Sequence, residues 1–253
     1  MQDVKAQYKN PKHLNTRISI HSKYSTNKTP YFDWIASHYA FAPGDRVLEL
    51  GCGTGELWKT NLNLLKDGVS LTMTDFSRGM WESAQASLPE HPSICYNTVD
   101  VQDIPYEDNS FDAVIANMML HHVPDVAKGL AEVRRVLKPG GTFYCAAFGE
   151  KGIHEYTAAL LRELGIPDKS MNSFTKQNGA AQLAPYFASV TWINREDGLE
   201  ITNIQDFADY MYSLSSLSNV DNLPREVLLQ KLEIRMVNGI LYVPKEYGMF
   251  VCK

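Results

Sequence analysis

The amino-acid sequence predicts an α/β fold in which a parallel sheet carries helices on both faces. Short apolar segments alternate with helical segments between residues 46 and 148, which is the order expected of βαβ units. A glycine-rich turn, Gly51–Gly55, joins the first apolar segment to the next helical one. Helical segments dominate after Gly149 before two apolar runs close the chain, so we expect helices inserted between the last strands, over the C-terminal edge of the sheet.

The elements at the start of the chain follow from apolar spacing and turn residues. Residues 1–29 are polar with a few apolar positions and are predicted to be loosely helical. The apolar spacing of Tyr31–Phe41 predicts a helix that Pro43-Gly44 ends. The leucines between the glycine turn and Leu65 predict a second helical stretch.

The remaining elements alternate in the same way, and the sequence KPGG at residues 138–141 predicts a turn. Strands or apolar runs are predicted at Arg46–Leu50, Ser70–Asp75, Ile94–Val99, Asp112–Asn117, Thr142–Phe148, Ser189–Asn194, Ile240–Val243 and Tyr247–Cys252. Helices are predicted at Gly79–Leu88, Val126–Leu137, Ile153–Leu164, Thr175–Tyr186, Ile204–Leu217 and Arg225–Val237.

Composition and charge disfavour several classes of protein. The 253 residues, 44% hydrophobic and 21% charged, are typical of a globular chain with one large domain or one domain with an insertion. The sequence has neither an apolar run of about 18 residues nor the apolar region of a signal peptide, so no membrane association is expected. Four scattered cysteines fit a cytoplasmic location. The net charge of −5 disfavours nucleic-acid binding.

The strongest local signal is VLELGCGTG, residues 47–55, in which an apolar strand leads into a Gly-x-Gly-x-Gly turn. Glycines there permit positive φ and a close approach of a ligand to the backbone. The spacing is not that of a dinucleotide site, because Glu56 stands where the third glycine would be. Glu49 would repel a pyrophosphate and would suit a ligand with an ammonium group. The alternative is a partly buried acid that caps the following helix.

Acidic residues also follow the next two strands. Asp75 ends the second strand, where an acid in nucleoside-binding α/β folds accepts hydrogen bonds from ribose hydroxyls. The alternative is a helix N-cap, but Ser77 is placed to cap that helix, which would free Asp75. Asp100 and Val101 follow the third strand, where an ordinary polar loop is the simpler interpretation.

Two adjacent histidines, His121 and His122, follow the fourth strand in the segment NMMLHHV. Neighbours in sequence on one helix point in different directions, and no second cluster of His, Cys or Asp completes a ligand set. We therefore predict no metal site.

Together, VLELGCGTG, DFSRGM, VDVQDIPYEDNSFDAVIANMMLHHV and VLKPGG resemble the class I S-adenosylmethionine-dependent methyltransferases of the small-molecule type. The resemblance covers about residues 45–148, with every block in family order and spacing. It implies a Rossmann-like, seven-stranded, mostly parallel sheet whose last strand is antiparallel. It also implies one continuous domain in three parts: a helical cap at 1–44, a cofactor-binding core at 45–148, and the end of the sheet with inserted lid helices at 149–253.

The resemblance implies roles for the matching positions. Glu49 would lie near the ammonium group of S-adenosylmethionine, and Gly51 and Gly53 would let the backbone approach its methionine part. Asp75 would hold the ribose hydroxyls. Phe76 and Met80 would contact the adenine ring, the Asp100 side chain would bind the adenine amino group, and the Val101 N–H would bind a ring nitrogen. The Asn117 backbone carbonyl would lie near the amino group of the methionine part. The other residues expected around the cofactor are Cys52, Met118 and Tyr24.

The implied reaction is in-line transfer of the methyl group to O, N or C of a small molecule, which leaves S-adenosylhomocysteine. Positioning can supply up to about 7–11 kcal/mol, and a general base is needed only if the acceptor must lose a proton. His122 and His121 are the candidate bases, with packing or capping as the alternative for each. The competing hypotheses are an RNA or protein methyltransferase, a non-catalytic cofactor-binding protein and a nicotinamide-dependent dehydrogenase. The oligomeric state is open, and a homodimer is one possibility. Side chains that could line an acceptor pocket are Tyr156, Met171, Phe174, Phe207, Tyr210, Met211 and Tyr212.

Overall fold

A computed structural model describes residues 11–166, 173–214 and 220–253. Within them the strands are β1 (Arg46–Leu50), β2 (Ser70–Asp75), β3 (Ile94–Thr98), β4 (Phe111–Ile115), β5 (Leu137–Phe148), β6 (Val190–Arg195), β7 (Gly198–Ile201), β8 (Leu241–Pro244) and β9 (Tyr247–Cys252). The α-helices are α1 (Pro11–Tyr24), α2 (Tyr31–Ala36), α3 (Arg78–Ser87), α4 (Val126–Val136), α5 (Ile153–Glu163), α6 (Lys176–Leu183), α7 (Ile204–Ser213) and α8 (Arg225–Glu233). Short 3-10 helices occupy Glu56–Lys59, Leu62–Leu65, Leu120–His122 and Val220–Asn222.

Seven strands form one sheet in the order β3-β2-β1-β4-β5-β9-β6. The pairs β1–β2, β2–β3, β1–β4 and β4–β5 are all parallel, so the carboxyl ends of these five strands share one edge. Beside β6 and β9, the backbone groups of Ser189 and Lys253 exchange reciprocal N–H to O bonds, which is the pattern of an antiparallel pair. The predicted α/β class, mostly parallel with an antiparallel final strand, is confirmed.

The central strands are buried on both faces, which explains why they appear as continuous apolar runs in the sequence. Val47, Met73 and Ile115 pack on one face together with residues from α2. Leu48 and Val114 pack on the other face against the apolar side of α4. Asp125 caps the N-terminus of helix α4, where its side chain accepts a hydrogen bond from the Lys128 N–H at 3.0 Å.

The described residues divide into two compact units. The sheet unit contains 29–148, 173–194 and 248–253, and the helical unit takes its residues from 1–28, 149–172 and 195–247. The helical unit has its own apolar core, made mainly by α5, α7, α8 and the two-stranded sheet β7–β8. These units cut across the predicted parts 1–44, 45–148 and 149–253, because 29–44, 173–194 and 248–253 all belong to the sheet unit. The three-part division remains a prediction.

Several predicted elements differ from the structure. The helical stretch after the glycine turn is two 3-10 helices, and the helix from Tyr31 ends at Ala36. The predicted KPGG turn is a bulge within β5: Phe111 pairs with Leu137 and Ala113 with Thr142, which leaves 138–141 without partners in the register. Strand β7 has no counterpart in the prediction, because its four residues are too few to give an alternating pattern.

Candidate functional site

The residues singled out in the sequence meet at the carboxyl edge of the parallel strands. Glu49 is in register with Ile115 on β4, and Leu50 is in register with Thr74, next to Asp75. Open α/β sheets bind ligands at this edge, where strand order reverses on the two sides of the first strand. The order β2-β1-β4 places that reversal at the glycine turn.

The glycine turn follows β1 with positive φ at Gly51 (73°), Gly53 (55°) and Gly55 (76°). A Cβ on Gly51 would lie 2.9 Å from the Cβ of Met119, whereas a Cβ on Gly53 would meet nothing within 4 Å. The two glycines therefore differ: Gly51 allows the chain after β4 to pack closely, and Gly53 leaves open space. Cys52 is buried, and its N–H donates to the Thr74 carbonyl at 2.8 Å.

Glu49 is a buried carboxylic acid, 3% exposed. Its Oε2 accepts a hydrogen bond from the Trp58 indole Nε1 at 2.7 Å, and not from the N–H groups of a following helix. Burial raises the pKa of Glu49 to about 7; the indole bond opposes this shift and the charge of Asp75 adds to it. The capping alternative is therefore wrong, and the acid has the environment that favours a cationic partner.

Asp75 binds the backbone on both sides of the site. Its Oδ2 accepts from the Gly53 N–H at 3.0 Å and its Oδ1 from the Ser77 N–H at 2.8 Å. Ser77 is the N-cap residue of α3, as the sequence predicts, but its side chain makes no capping bond, and the expectation that Asp75 is free is wrong. Burial raises the pKa of Asp75, while the two backbone bonds oppose the shift. Each carboxylate oxygen retains a second lone pair with which to accept from a ligand.

The expected adenine contacts lie beyond β2 and β3. Phe76 is 46% exposed, and Met80 on the first turn of α3 is partly exposed. Asp100 is engaged locally, since its Oδ1 accepts from the Gln102 N–H at 2.9 Å. The Val101 side chain is buried and faces Gly129 of α4. An exposed aromatic ring at this edge is available to stack on a flat ligand.

Beyond β4, the chain is tightly bent. Asn117 Nδ2 donates to the Tyr39 hydroxyl at 2.7 Å, and Asn117 Oδ1 is buried with no hydrogen-bond partner in the described part of the chain. Met118 has φ of 52°, and its N–H donates to the Ala146 carbonyl at 2.9 Å. The other non-glycine residues with positive φ among those described are Asp or Asn, which tolerate this region better than Met. Strain of this kind is concentrated at functional sites.

His121 and His122 lie in the 3-10 helix after this bend, and their ring centroids are 4.0 Å apart. Neighbours in sequence on one helix are expected to point in different directions, whereas these two rings lie side by side, tilted by 47°. His121 also packs edge-on against Phe148 at 4.8 Å. Burial lowers the pKa of His122 below 6.5. Within 11–166, 173–214 and 220–253, no three metal-binding side chains are grouped.

Sequence reasoning missed two residues of the site, Tyr39 and Trp58. Trp58 lies nine residues after Glu49, in the 3-10 helix that the sequence predicts as α-helix. Tyr39 follows α2 and lies 78 residues from Asn117 in the chain. No spacing rule connects either residue to the glycine turn, so only the tertiary structure reveals them.

The remaining predicted residues lie elsewhere. Tyr24 belongs to the helical unit, where its hydroxyl donates to Asp206 Oδ2 at 2.6 Å, so its role at the cofactor remains a prediction. Of the side chains considered for an acceptor pocket, Met171 lies outside the described residues. The buried cores contain Phe174, Phe207, Tyr210 and Met211, with Tyr156 and Tyr212 packed against them.

Residues 48–145 match the family described as a methyltransferase domain. Demethylmenaquinone methyltransferase from Clavibacter sepedonicus is 37% identical over 116 residues, which are 45% of this chain and 46% of that protein. 27-O-demethylrifamycin SV methyltransferase from Amycolatopsis mediterranei is 29% identical over 185 residues, 70% of this chain and 62% of that protein. The chain thus spans about half the length of the curated relatives it matches.

The solved structure of the YcgJ protein from Bacillus subtilis is similar, with a TM-score of 0.58 and 18% identity over 87% of this chain and 96% of that one. At this identity the similarity shows the fold, which is the Rossmann-like architecture predicted from the sequence. No helix in the described residues is both long enough and apolar enough to cross a lipid bilayer.

Proposed function

On the premise that residues 48–145 are a class I methyltransferase domain, as the resemblance predicted, we propose that the protein transfers a methyl group from S-adenosylmethionine to a small molecule. The observation that supports this most is the position of Glu49, a buried acid with a pKa of about 7 beside the glycine turn. A dinucleotide would bring a pyrophosphate to this carboxylate, whereas S-adenosylmethionine brings an ammonium group.

The residues at the carboxyl edge fit the proposed methyl donor. Glu49 receives one hydrogen bond from a neutral indole, and a cationic partner would compensate its ionised form. The buried Asn117 Oδ1 lacks a donor among the described residues. The open space at Gly53 lets a ligand reach the backbone. These three features call for a ligand that is cationic, donates hydrogen bonds and lies against the glycine turn.

Each residue has a distinct task in this proposal. Glu49 holds the ammonium group, and Asp75 accepts hydrogen bonds from the ribose hydroxyls. The remaining predicted contacts within the sheet unit are Phe76 and Met80 with the adenine ring, Asp100 and Val101 with its polar edge, and Cys52 and Met118 with the cofactor. When bound, S-adenosylmethionine supplies a methyl group already activated by its sulfonium. The protein therefore contributes mainly by holding the acceptor in line with that group.

We assign a general-base role to His122, with His121 packed beside it. Burial keeps the pKa of His122 below 6.5, so its imidazole is neutral near pH 7 and can accept a proton from an acceptor hydroxyl, amine or acidic carbon. Activity should then fall as the pH drops through that lowered pKa, because the protonated ring can no longer act as a base.

The names of the relatives support a small-molecule acceptor, since one acts on demethylmenaquinone and another is named for 27-O-demethylrifamycin SV. The net charge of −5 argues against a nucleic-acid substrate. All four cysteines are free, which supports a cytoplasmic location. A homodimer is testable by light scattering at several protein concentrations.

Methyl-labelled S-adenosylmethionine, incubated with the full chain and a library of quinones, phenols and amines, tests the proposal. We expect label in a small molecule, and we expect His122→Ala to lower turnover about 100-fold with a smaller change in S-adenosylhomocysteine affinity. His91→Ala, in the loop before β3, is the matched control and should retain turnover. Label in RNA or protein alone would contradict the proposed small-molecule acceptor. If His122→Ala turned over as fast as wild type at every pH, His122 would not be the general base.

A further inference from the structure

The pair formed by Tyr39 and Asn117 lies on the same face of the sheet as Glu49. Glu49 and Ile115 are in register on neighbouring strands, and Asn117 follows Ile115 by two residues. Tyr39 packs with Ile115 in the apolar core of that face. The two side chains of the pair therefore belong to the end of the site where Glu49 lies.

The Asn117 amide is only half satisfied. Its Nδ2 donates to the Tyr39 hydroxyl at 2.7 Å, while its Oδ1 is buried without a hydrogen-bond partner in the residues that the structure describes. A buried acceptor without a donor is costly, because it has lost its bonds to water and gained none. Native proteins leave few such atoms, so this one needs a specific explanation.

Tyr39 is held firmly in place. It is 8% exposed, and its ring contacts Tyr144 edge-on at 4.9 Å and stacks on Phe41 at 5.4 Å. Burial raises the pKa of Tyr39 well above 10, with a contribution from the charge of Glu49, so the hydroxyl stays protonated. In this arrangement the Tyr39 hydroxyl oxygen accepts from the Asn117 amide NH2, and Asn117 Oδ1 is the atom left for another donor.

We propose that Tyr39 is a positioning residue that orients the Asn117 side chain so that Oδ1 accepts a hydrogen bond from the ammonium group of the methyl donor. This inference rests on the proposed function. An ammonium group has three N–H donors. The Glu49 carboxylate and the Asn117 backbone carbonyl are the two acceptors that the resemblance implies. Asn117 Oδ1 is the third, and it explains both the missing partner and the buried tyrosine behind it.

Tyr39→Phe tests this assignment in the full chain, with Tyr144→Phe as the matched control. Tyr144 lies in the same core, and its hydroxyl accepts from the Ala40 N–H at 3.1 Å, so losing this hydroxyl also removes a partly buried hydrogen bond but leaves the Tyr39–Asn117 bond in place. Calorimetric titration uses two probes: S-adenosylhomocysteine, which carries the amino group, and 5′-methylthioadenosine, which keeps the adenosyl part and lacks it.

For Tyr39→Phe we expect the Kd of S-adenosylhomocysteine to rise about tenfold. The Kd of 5′-methylthioadenosine should stay within about twofold of wild type, because that probe makes no contact with Asn117 Oδ1. Tyr144→Phe should bind both probes like wild type. Asn117→Ala should reproduce the selective loss, and adding Tyr39→Phe to it should cause no further loss, because both changes remove the same interaction.

Equal weakening of both probes in Tyr39→Phe and in Asn117→Ala would reduce the pair to a structural role and overturn the assignment. Unchanged S-adenosylhomocysteine affinity in both variants would overturn it as well. These outcomes leave the proposed function intact if wild-type protein binds S-adenosylhomocysteine. If the wild-type chain binds neither probe, the proposed function itself fails.

Discussion

At the scale of single residues, Glu49 is the most informative position in the chain. It is 3% exposed and contacts a neutral indole donor, and burial raises its pKa to about 7. A buried acid with so little compensation destabilises the ligand-free protein whenever it ionises. That cost is consistent with a residue kept for binding a cation.

The raised pKa of Glu49 predicts how the stability of the ligand-free protein depends on pH. At pH values between the ordinary Glu49 pKa of 4.5 and about 7, the folded state keeps a proton on Glu49 that the unfolded state has released. The free energy of unfolding therefore falls as the pH rises through this range. Glu49→Gln removes this dependence. Urea unfolding at pH 5 and pH 8 measures this difference: between the two pH values, the free energy of unfolding should fall by about 3 kcal/mol more in wild type than in the variant. Parallel changes in the two proteins would show that Glu49 ionises normally.

At the scale of elements, the central strands could be predicted because their burial depends on local apolar runs. Predicted and observed bounds agree for β1 and β2, whose apolar residues are buried. The stretch after the glycine turn could not be assigned correctly, since apolar spacing does not separate α-helix from 3-10 helix at that length. The Tyr39–Asn117 contact depends on two segments far apart in the chain, so no local pattern predicts it.

The glycine turn predicts different effects for two similar substitutions. Gly51→Ala would place a Cβ 2.9 Å from the Cβ of Met119 at a φ of 73°, so we expect a loss of about 2–4 kcal/mol in unfolding free energy. Gly53→Ala has open space around its new Cβ, so its cost comes mainly from the φ of 55° and is about 1–2 kcal/mol, but its methyl group enters the space in which we propose that the ligand binds. Denaturant unfolding measures the loss of stability, which should be larger for Gly51→Ala. Titration with S-adenosylhomocysteine measures the effect of the Gly53→Ala methyl group on binding. Stronger destabilisation by Gly53→Ala would contradict this account.

At the scale of the whole molecule, the sheet unit is built around two apolar cores, whereas the helical unit also contains a buried ionic cluster. Asp197 has a fully buried side chain that contacts Arg195 and Lys245, both nearly buried. Its Oδ1 also accepts from Ser25 Oγ at 2.6 Å and from the Asn27 N–H at 3.1 Å. Burial alone would raise the pKa of Asp197, but these bonds outweigh it and lower the pKa to about 2.

The buried ionic cluster predicts that substitution of Asp197 alone strongly destabilises the protein. Asp197→Ala leaves two buried cations without this carboxylate, so we expect about 3–5 kcal/mol of destabilisation at pH 7. Asp209→Ala, which breaks a more exposed pair with Arg225 in the same unit, should cost no more than about 1 kcal/mol. Urea unfolding of the two variants provides the comparison, and similar losses would contradict a special role for the cluster.

The most direct test of the central claim is calorimetric titration of the full chain with S-adenosylhomocysteine and, separately, with NAD. We predict that the wild-type protein binds S-adenosylhomocysteine in preference to NAD. Asp75→Ala should weaken that binding about 100-fold, because two charge-assisted hydrogen bonds to the ribose are lost. Asp112→Ala, which breaks the ion pair with Lys138 at the opposite edge of the sheet, should bind normally. Preference for NAD, or unchanged affinity in Asp75→Ala, would contradict the assignment of this edge to an adenosyl sulfonium ligand.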